Sequence, residues 1–390
     1  MSVSEWREVR LGDLVTFQRG HDLPKAEMKE GPYPVVGSNG IIGYHSKYTT
    51  EAPCITIGRS GNVGNPFLSK CKTWAHNTTL YIKEFKNTDP IYIYYLLKTL
   101  DLGYYAVGSA VPTLNRNHIH PILISVPESI EEQRSIAATL SALDDMIELN
   151  NQINKTLEEM AQAIFKSWFV DFEPFKDGEF EESELGLIPK GWRVGKLSDV
   201  GEIIGGGTPS KSKPEYYSEI GIPWITPKDL SINKNKYISR GEIDISELGL
   251  RESSARLMPK GTVLFSSRAP IGYIAIAKNA VTTNQGFKSV VPFENISSEY
   301  IYLLLKNSIN EIESRATGST FKEISGGEMK KVPIILPPKE IIRKFNEIAT
   351  TLGKTQASLE DENSILMSIR DTLLPKLMTG EIRVPVEEVV

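Results

Sequence analysis

A chain of 390 residues, 40% hydrophobic and 24% charged, has the composition of a globular protein of two or three domains and excludes disordered or collagenous classes. Only Cys54 and Cys71 are present, which leaves no disulfide framework and no cysteine-based zinc site. No apolar run reaches the ~18–20 residues of a membrane span. The start, Met1 to Glu8, lacks the apolar core of a secretion signal, so a cytoplasmic protein that engages no membrane is expected.

The formal net charge of −5 hides a partition. Residues 1–128 carry a net +2, residues 129–185 a net −10, residues 186–337 a net +5 and residues 338–390 a net −2. Two mildly basic blocks thus alternate with two acidic segments. Because phosphate binding depends on local positive faces, a nucleic-acid partner is permitted for the two basic blocks but not demanded.

In chain order, the first block opens Trp6-Arg7-Glu8-Val9-Arg10-Leu11-Gly12-Asp13, and the third opens Trp192-Arg193-Val194-Gly195-Lys196-Leu197-Ser198-Asp199. Short β-rich runs such as Cys54-Ile55-Thr56-Ile57 and Thr262-Val263-Leu264-Phe265 sit among Gly and Pro turns. Tyr92–Lys98 and Tyr300–Lys306, which match at six of seven positions, read as short helices. The offset between copies grows from 186 to 208 residues, which places an insertion of about twenty residues early in the second copy. The chain is an internal duplication.

Each copy ends in a long helical stretch with a coiled-coil pattern. After Pro127 the seam positions are Ile136, Leu140, Leu143, Ile147, Asn150, Asn154, Leu157, Ala161, Ile164 and Trp168. After Pro338 they are Ile341, Phe345, Ile348, Leu352, Thr355, Leu359, Glu362, Leu366, Ile369 and Leu373, and Pro375 is expected to close the helix. Asn150 and Asn154 at mid-seam would set register at a cost in stability. Neither stripe can be buried alone. Each helix could cover it on its own globular block or in a dimer, but chain order favours antiparallel pairing within the chain. At ~1.5 Å rise per residue, Glu131–Trp168 would span roughly 57 Å. The expected fold class is α+β: two mixed α/β domains separated by a long antiparallel two-helix coiled coil, with a pseudo-twofold internal repeat. The expected boundaries are 1–128, 129–185, 186–337 and 338–390.

Reactive constellations are missing from the sequence. Gly205-Gly206-Gly207-Thr208-Pro209-Ser210-Lys211-Ser212 lacks the glycine before lysine that a nucleotide phosphate loop needs. It reads instead as a turn or a backbone cradle for DNA phosphate, with Thr208 and Lys211 as contacts. No Gly-x-Ser-x-Gly elbow or His-Glu-x-x-His helix occurs, and Asn65-Pro66-Phe67 reads as a turn. All five histidines fall in the first block without counterparts in the second, so no shared catalytic or metal set is expected.

What recurs is a group of polar, glycine-bearing loops. Arg59, Ser60 and Asn62 lie in Gly58–Gly64, answered by Arg268 in Ser266–Gly272. His76-Asn77 is answered by Asn284-Gln285, with Lys288 just beyond. Ser109, Thr113, Asn115 and Arg116 are answered by Ser319, Thr320 and Lys322. These side-chain types read base edges and hold phosphates, although each could equally belong to an ordinary surface loop.

At this point the chain resembles the specificity subunit of type I restriction–modification systems over nearly its whole length. The resemblance rests on Glu132-Gln133-Arg134-Ser135-Ile136-Ala137 and Leu140-Ser141-Ala142-Leu143-Asp144-Asp145 at the first helix, and on Ser167–Pro174 leaving it. Gly191-Trp192, Leu373-Leu374-Pro375-Lys376-Leu377 and Gly380-Glu381-Ile382 complete it. The second helix departs from the pattern, with Glu340-Ile341-Ile342-Arg343 where acid-Gln-x-Arg is common. The resemblance implies a non-catalytic reader of double-stranded DNA. Each globular block would be a target-recognition domain for half of a bipartite site, and the coiled coil would set the spacer. Two methyltransferase subunits using S-adenosylmethionine would dock on the helices, and restriction/translocase subunits using ATP and Mg2+ would complete the complex. The chain itself would carry no cofactor or metal. A protein-interaction scaffold on a coiled-coil stalk, or service to a type IIB-like partner set, remain the alternatives.

Overall fold

The computed structural model describes residues 5–108, 112–318 and 322–385. The chain forms two units, Met1–Glu148 with Ser364–Val390, and Leu149–Asn363. Both long helices are divided between the units: the central helix runs Ile130–Phe169 and the C-terminal helix Lys339–Met378, 40 residues each.

In the first unit, strand Trp6–Arg10 pairs antiparallel with Leu123–Pro127, tying the start of the globular block to the segment that leads into the central helix. A four-stranded antiparallel sheet runs in the order Val15–Arg19, Thr79–Phe85, Cys54–Gly58, Pro66–Ser69. A three-stranded sheet follows the order Gly40–His45, Tyr33–Gly37, Trp74–Ala75. Helix Pro90–Thr99 starts where Asp89 accepts the amides of Ile91 and Tyr92 at 2.9 Å, with proline at its first position, and it buries Tyr92, Ile93, Tyr95, Leu96 and Leu97. Against this face pack Ile136, Ala137 and Leu140 from the central helix and Leu374, Leu377 and Met378 from the C-terminal helix. The Arg370 guanidinium donates to Asp144 at 2.6 Å and Arg383 to Glu132 at 2.5 Å. Residue numbers rise on one helix as they fall on the other, so the pairing is antiparallel.

The second unit repeats the plan. Arg193–Lys196 pairs with Pro333–Leu336. The larger sheet runs Gly201–Gly205, Lys288–Pro292, Val263–Ser267, Ile271–Ala277, and gains a fifth strand, Tyr237–Ile238, from the inserted segment. The smaller sheet runs Tyr217–Ser218, Ile243–Ile245, Ile222–Ile225, Thr282–Thr283. Helix Ser298–Asn307 is the counterpart of Pro90–Thr99. A hairpin of Phe180–Ser183 and Gly186–Pro189 spans the boundary expected at 185–186. The helices again pair antiparallel: the Asn150 amide donates to Asn363 and Glu362 at 3.0 Å, while Phe165 meets Phe345 with ring centroids 5.8 Å apart. Thus each helix packs both on its mate and on a globular block.

The seam needs correction. Ile136, Leu140, Asn150 and Phe345 are buried as expected. Leu143, Ile147, Asn154, Leu157, Ile164, Leu352, Leu359, Leu366 and Leu373 are half-buried, whereas Ile348 (38%) and Ile369 (41%) are exposed. On the C-terminal helix the buried stripe lies one residue later, through Ile342, Phe345, Ala349, Gly353, Gln356, Glu360, Asn363, Leu374 and Leu377. Counting apolar residues misses it because its middle is polar or small. Gly353 is needed there, since a Cβ would lie 2.4 Å from the Tyr237 hydroxyl. On the central helix the stripe ends on Ala161, Phe165 and Phe169. Pro375 does not close its helix, which continues to Met378; it sits in the last turn, where its carbonyl still accepts the Thr379 amide at 3.1 Å.

Candidate nucleic-acid interface

In the first unit the strand ends and loops after Arg19, Gly58 and Trp74-Ala75 converge. The Arg59 amide donates to the Thr78 carbonyl at 2.8 Å, and the Leu114 amide donates to the Arg59 carbonyl at 2.9 Å, so three loops are stitched through backbone. Only glycine fits at Gly58, where a Cβ would lie 1.7 Å from the Asn62 carbonyl. The result is a cleft of about 700 Å³ lined by Gln18, Arg19, His21, Asp22, Arg59, Thr113, Asn115 and Arg116.

Its charge is positive. Arg19 pairs with Asp22 at 3.4 Å, and Asn77 also donates to Asp22. Arg59 donates to the Asn77 carbonyl at 3.4 Å and Arg116 to the Phe17 carbonyl at 3.4 Å. Among the described residues these two guanidinium groups bond neutral carbonyls, which leaves their charge available to an anion. Burial, with Arg116 and Lys86 nearby, pulls the His120 imidazole down, and its Nε2 accepts the Phe17 amide at 3.1 Å. His120 is therefore a structural acceptor.

The other expected contacts of this unit separate. Ser60 donates its amide to the Thr78 carbonyl at 3.2 Å beside Arg59. His76 Nδ1 bonds the Thr78 hydroxyl at 3.0 Å, and the exposed Asn62 accepts from Asn65. Asn115 caps the short helix Arg116–Ile119 by accepting the Asn117 amide at 3.0 Å, so its oxygen is committed to the fold. Ser109, Ser319 and Thr320 lie outside the described residues.

The cleft of the second unit lies elsewhere, against the smaller sheet, and is not lined by Arg268, the counterpart of Arg59. A cleft of about 560 Å³ is lined by Thr208, Lys211, Asn284 and Gln285, as expected, together with Tyr217, Trp224, Thr226, Lys228, Asp229, Glu242 and Ile243. Trp224 donates to the Gly207 carbonyl at 3.0 Å and meets Tyr217 edge-on, fixing an aromatic wall. Lys228 pairs with Glu242 at 2.5 Å, so the lining is close to charge-balanced. Arg268 is not the free counterpart of Arg59: Glu323 binds it at 3.3 Å and also binds Lys288 at 3.4 Å. Asn284 spends its side-chain oxygen on the Gly286 amide at 2.9 Å. Lys322 is exposed.

Sequence reasoning missed the carboxylates. Asp22 binds Asn77, and Glu323 binds Arg268, each across 55 residues of sequence, so neither pairing shows in local pattern. It also missed a buried ionic joint in the second unit. Lys236, 7% exposed, donates to Gln356 at 2.9 Å and lies 3.4 Å from Glu158, which also binds Lys306 at 2.8 Å. Burial alone would push the Glu158 carboxyl up, but the ammonium groups of Lys236 and Lys306 outweigh it and hold it at about 2.

The chain is built of duplicated mixed α/β units, each closed by a two-strand pair and displaying a loop cleft. The sequence matches the type I restriction modification DNA specificity domain over residues 3–159 and 189–367, and the chain belongs to that family. It is similar to the MjaIX type I restriction enzyme specificity subunit of Methanocaldococcus jannaschii, with 45% identity over 193 residues that cover 49% of this chain and 44% of that protein. The HindI specificity subunit of Haemophilus influenzae is 30% identical over 331 residues, covering 70% of this chain and 71% of that one. The fold matches a type I restriction–modification S subunit from M. genitalium with a TM-score of 0.65 at 18% identity, over 96% of each chain. The chain is thus a type I restriction–modification specificity subunit with a DNA-recognition role. Among the described residues no helix is long and apolar enough to cross a membrane, and no three His, Cys, Asp or Glu side chains group as metal ligands.

Proposed function

We propose that the chain is the non-catalytic, cytoplasmic reader of a bipartite double-stranded DNA target, each unit binding one half-site. The observation that carries this reading is the cleft of the first unit, where Arg59 and Arg116 present guanidinium charge without a carboxylate partner among the described residues, on a glycine-bearing backbone frame. Such groups suit phosphate oxygens and guanine edges. The long helices, continuous through 40 residues each, would set the spacer between half-sites.

Two methyltransferase subunits would dock on the helices. In support, Met146, Ile365, Met367 and Ile369 are exposed in the first unit, and Leu149, Ile153, Met160 and Ile348 in the second. S-adenosylmethionine would belong to those subunits, and ATP with Mg2+ to the restriction/translocase subunits. The test is duplex binding at several salt concentrations, joined to methylation-sensitive sequencing of DNA from cells expressing the subunit with its partners. Affinity should fall log-linearly with salt by about 0.9 per phosphate contact, and methylation should appear at a split site. Absence of salt-dependent duplex binding would favour the scaffold reading instead.

A further inference from the structure

The loops described above leave one conspicuous element of the first unit unused. Strands Tyr33–Gly37 and Gly40–His45 form an antiparallel hairpin whose two-residue turn is Ser38-Asn39, closed by the pair Gly37↔Gly40 with Gly40 at φ +91°. Beyond the turn, Ile41 (48%), Ile42 (42%) and Tyr44 (56%) are exposed on a strand, and Asn39 is exposed at the tip. These three exposed apolar side chains lie within four residues of one another on a single strand.

The hairpin belongs to the cleft's neighbourhood. The Ser38 amide donates to the Thr78 hydroxyl at 3.2 Å, and the His76 amide donates to the Val36 carbonyl at 2.9 Å. A Cβ at Gly61 would lie 3.2 Å from the Ser38 hydroxyl, so the tip abuts the Arg59–Asn62 loop. Its base carries charges of both signs: Lys29, whose amide donates to His45 Nδ1 at 2.9 Å, stands between the exposed Glu27 and Glu30, and the exposed Lys47 lies just past His45. A polar turn, exposed apolar side chains behind it and continuity with the arginine cleft suit one occupant. The B-DNA major groove is about 12 Å wide and admits a two-stranded β-ribbon; its floor offers thymine methyl groups, and phosphates line its edges.

We propose that the hairpin Tyr33–His45 is a ribbon that enters the major groove of the half-site read by the first unit, Asn39 reading an adenine edge and Ile41 and Ile42 contacting thymine methyl groups. Among its described residues the second unit has no such hairpin tip. Its corresponding strands, Ile222–Ile225 and Ile243–Ile245, are joined by residues 226–242, which include helix Pro227–Ile232. The ribbon therefore acts on one half-site only. This inference rests on the DNA-reading function above.

The test uses the full chain with its methyltransferase partner and a duplex library randomised in both half-sites. Asn39→Ala should weaken specific binding about ten-fold or more and relax a single A·T position in one half-site, leaving the other half-site and the salt slope unchanged. The exposed pair Ile41→Ala/Ile42→Ala should fold normally and lose the preference for thymidine over deoxyuridine that the unaltered chain shows. Retention of the full half-site preference by both variants overturns the ribbon while leaving DNA reading intact. Retained preference with loss of the co-purified methyltransferase overturns it too, in favour of a protein contact. If the unaltered chain binds no duplex, the DNA-reading function itself fails.

Discussion

The two units arise from one duplicated plan, yet their loops differ in what they offer a ligand. The first unit presents Arg59 and Arg116 on neutral carbonyl partners, whereas the second neutralises Arg268 and Lys288 on Glu323 and lines its cleft with Tyr217 and Trp224. Duplication preserved the scaffold, since hydrogen-bonded strands and buried helices tolerate little change. The loops diverged because exposed segments carry few packing constraints. Matched loop positions therefore do not imply matched chemistry. The same holds where the globular blocks meet the central helix. The first unit joins them through Asp144, which accepts Tyr95 at 2.6 Å and Arg370 at 2.6 Å; the second uses Glu158 between Lys306 and the buried Lys236.

That last contrast yields the largest expected effect. Glu158→Gln strands a buried ammonium and should cost the second unit about 3 kcal/mol at neutral pH, read by urea unfolding. Asp144→Asn, at a wetter joint, should cost about 1 kcal/mol. The Glu158 carboxyl is depressed from 4.5 to about 2, so its stabilisation is complete above pH 4.5 and is lost as pH falls from there towards 2. The difference between the unaltered chain and Glu158→Gln should shrink across that window; a constant difference would break the assignment.

A middle-sized effect separates the clefts. Arg59→Ala should weaken recognition of one half-site about ten-fold, while Arg268→Ala should change the other about three-fold or less, because its charge is already neutralised. Glu323→Gln should do the reverse of a loss: duplex affinity rises regardless of sequence, and the salt slope steepens by about one. Equal losses for both arginines in an anisotropy titration would erase the proposed difference. The smallest effect concerns the helices. Ile348→Gln and Ile369→Gln, one in each unit, should leave unfolding free energy within about 0.5 kcal/mol, as expected of surface changes. A cost of 2 kcal/mol or more at either position would restore the stripe inferred from periodicity.

The duplication, the α+β class, the two short helices and the pair of long antiparallel helices were legible because they follow from composition, periodicity and colinear matches. Asn150 was legible as a buried seam residue, and it bonds Asn363 across the pair. The C-terminal stripe was not, because Gln356 and Glu360 are buried by partners distant in sequence: Lys236 donates its side chain to Gln356 and its amide to Glu360 at 2.7 Å. Local periodicity registers hydrophobicity and is blind to such compensation.

By itself the sequence determined how many times the plan is repeated, where helices and strands form, and which family the chain joins, since these depend on near neighbours and on pattern. Only the tertiary structure decided which cations are left without a carboxylate partner among the described residues. A guanidinium is free or spent according to the carboxylate that folding brings within about 4 Å, and Coulomb attraction at that range depends on position in space rather than on order along the chain.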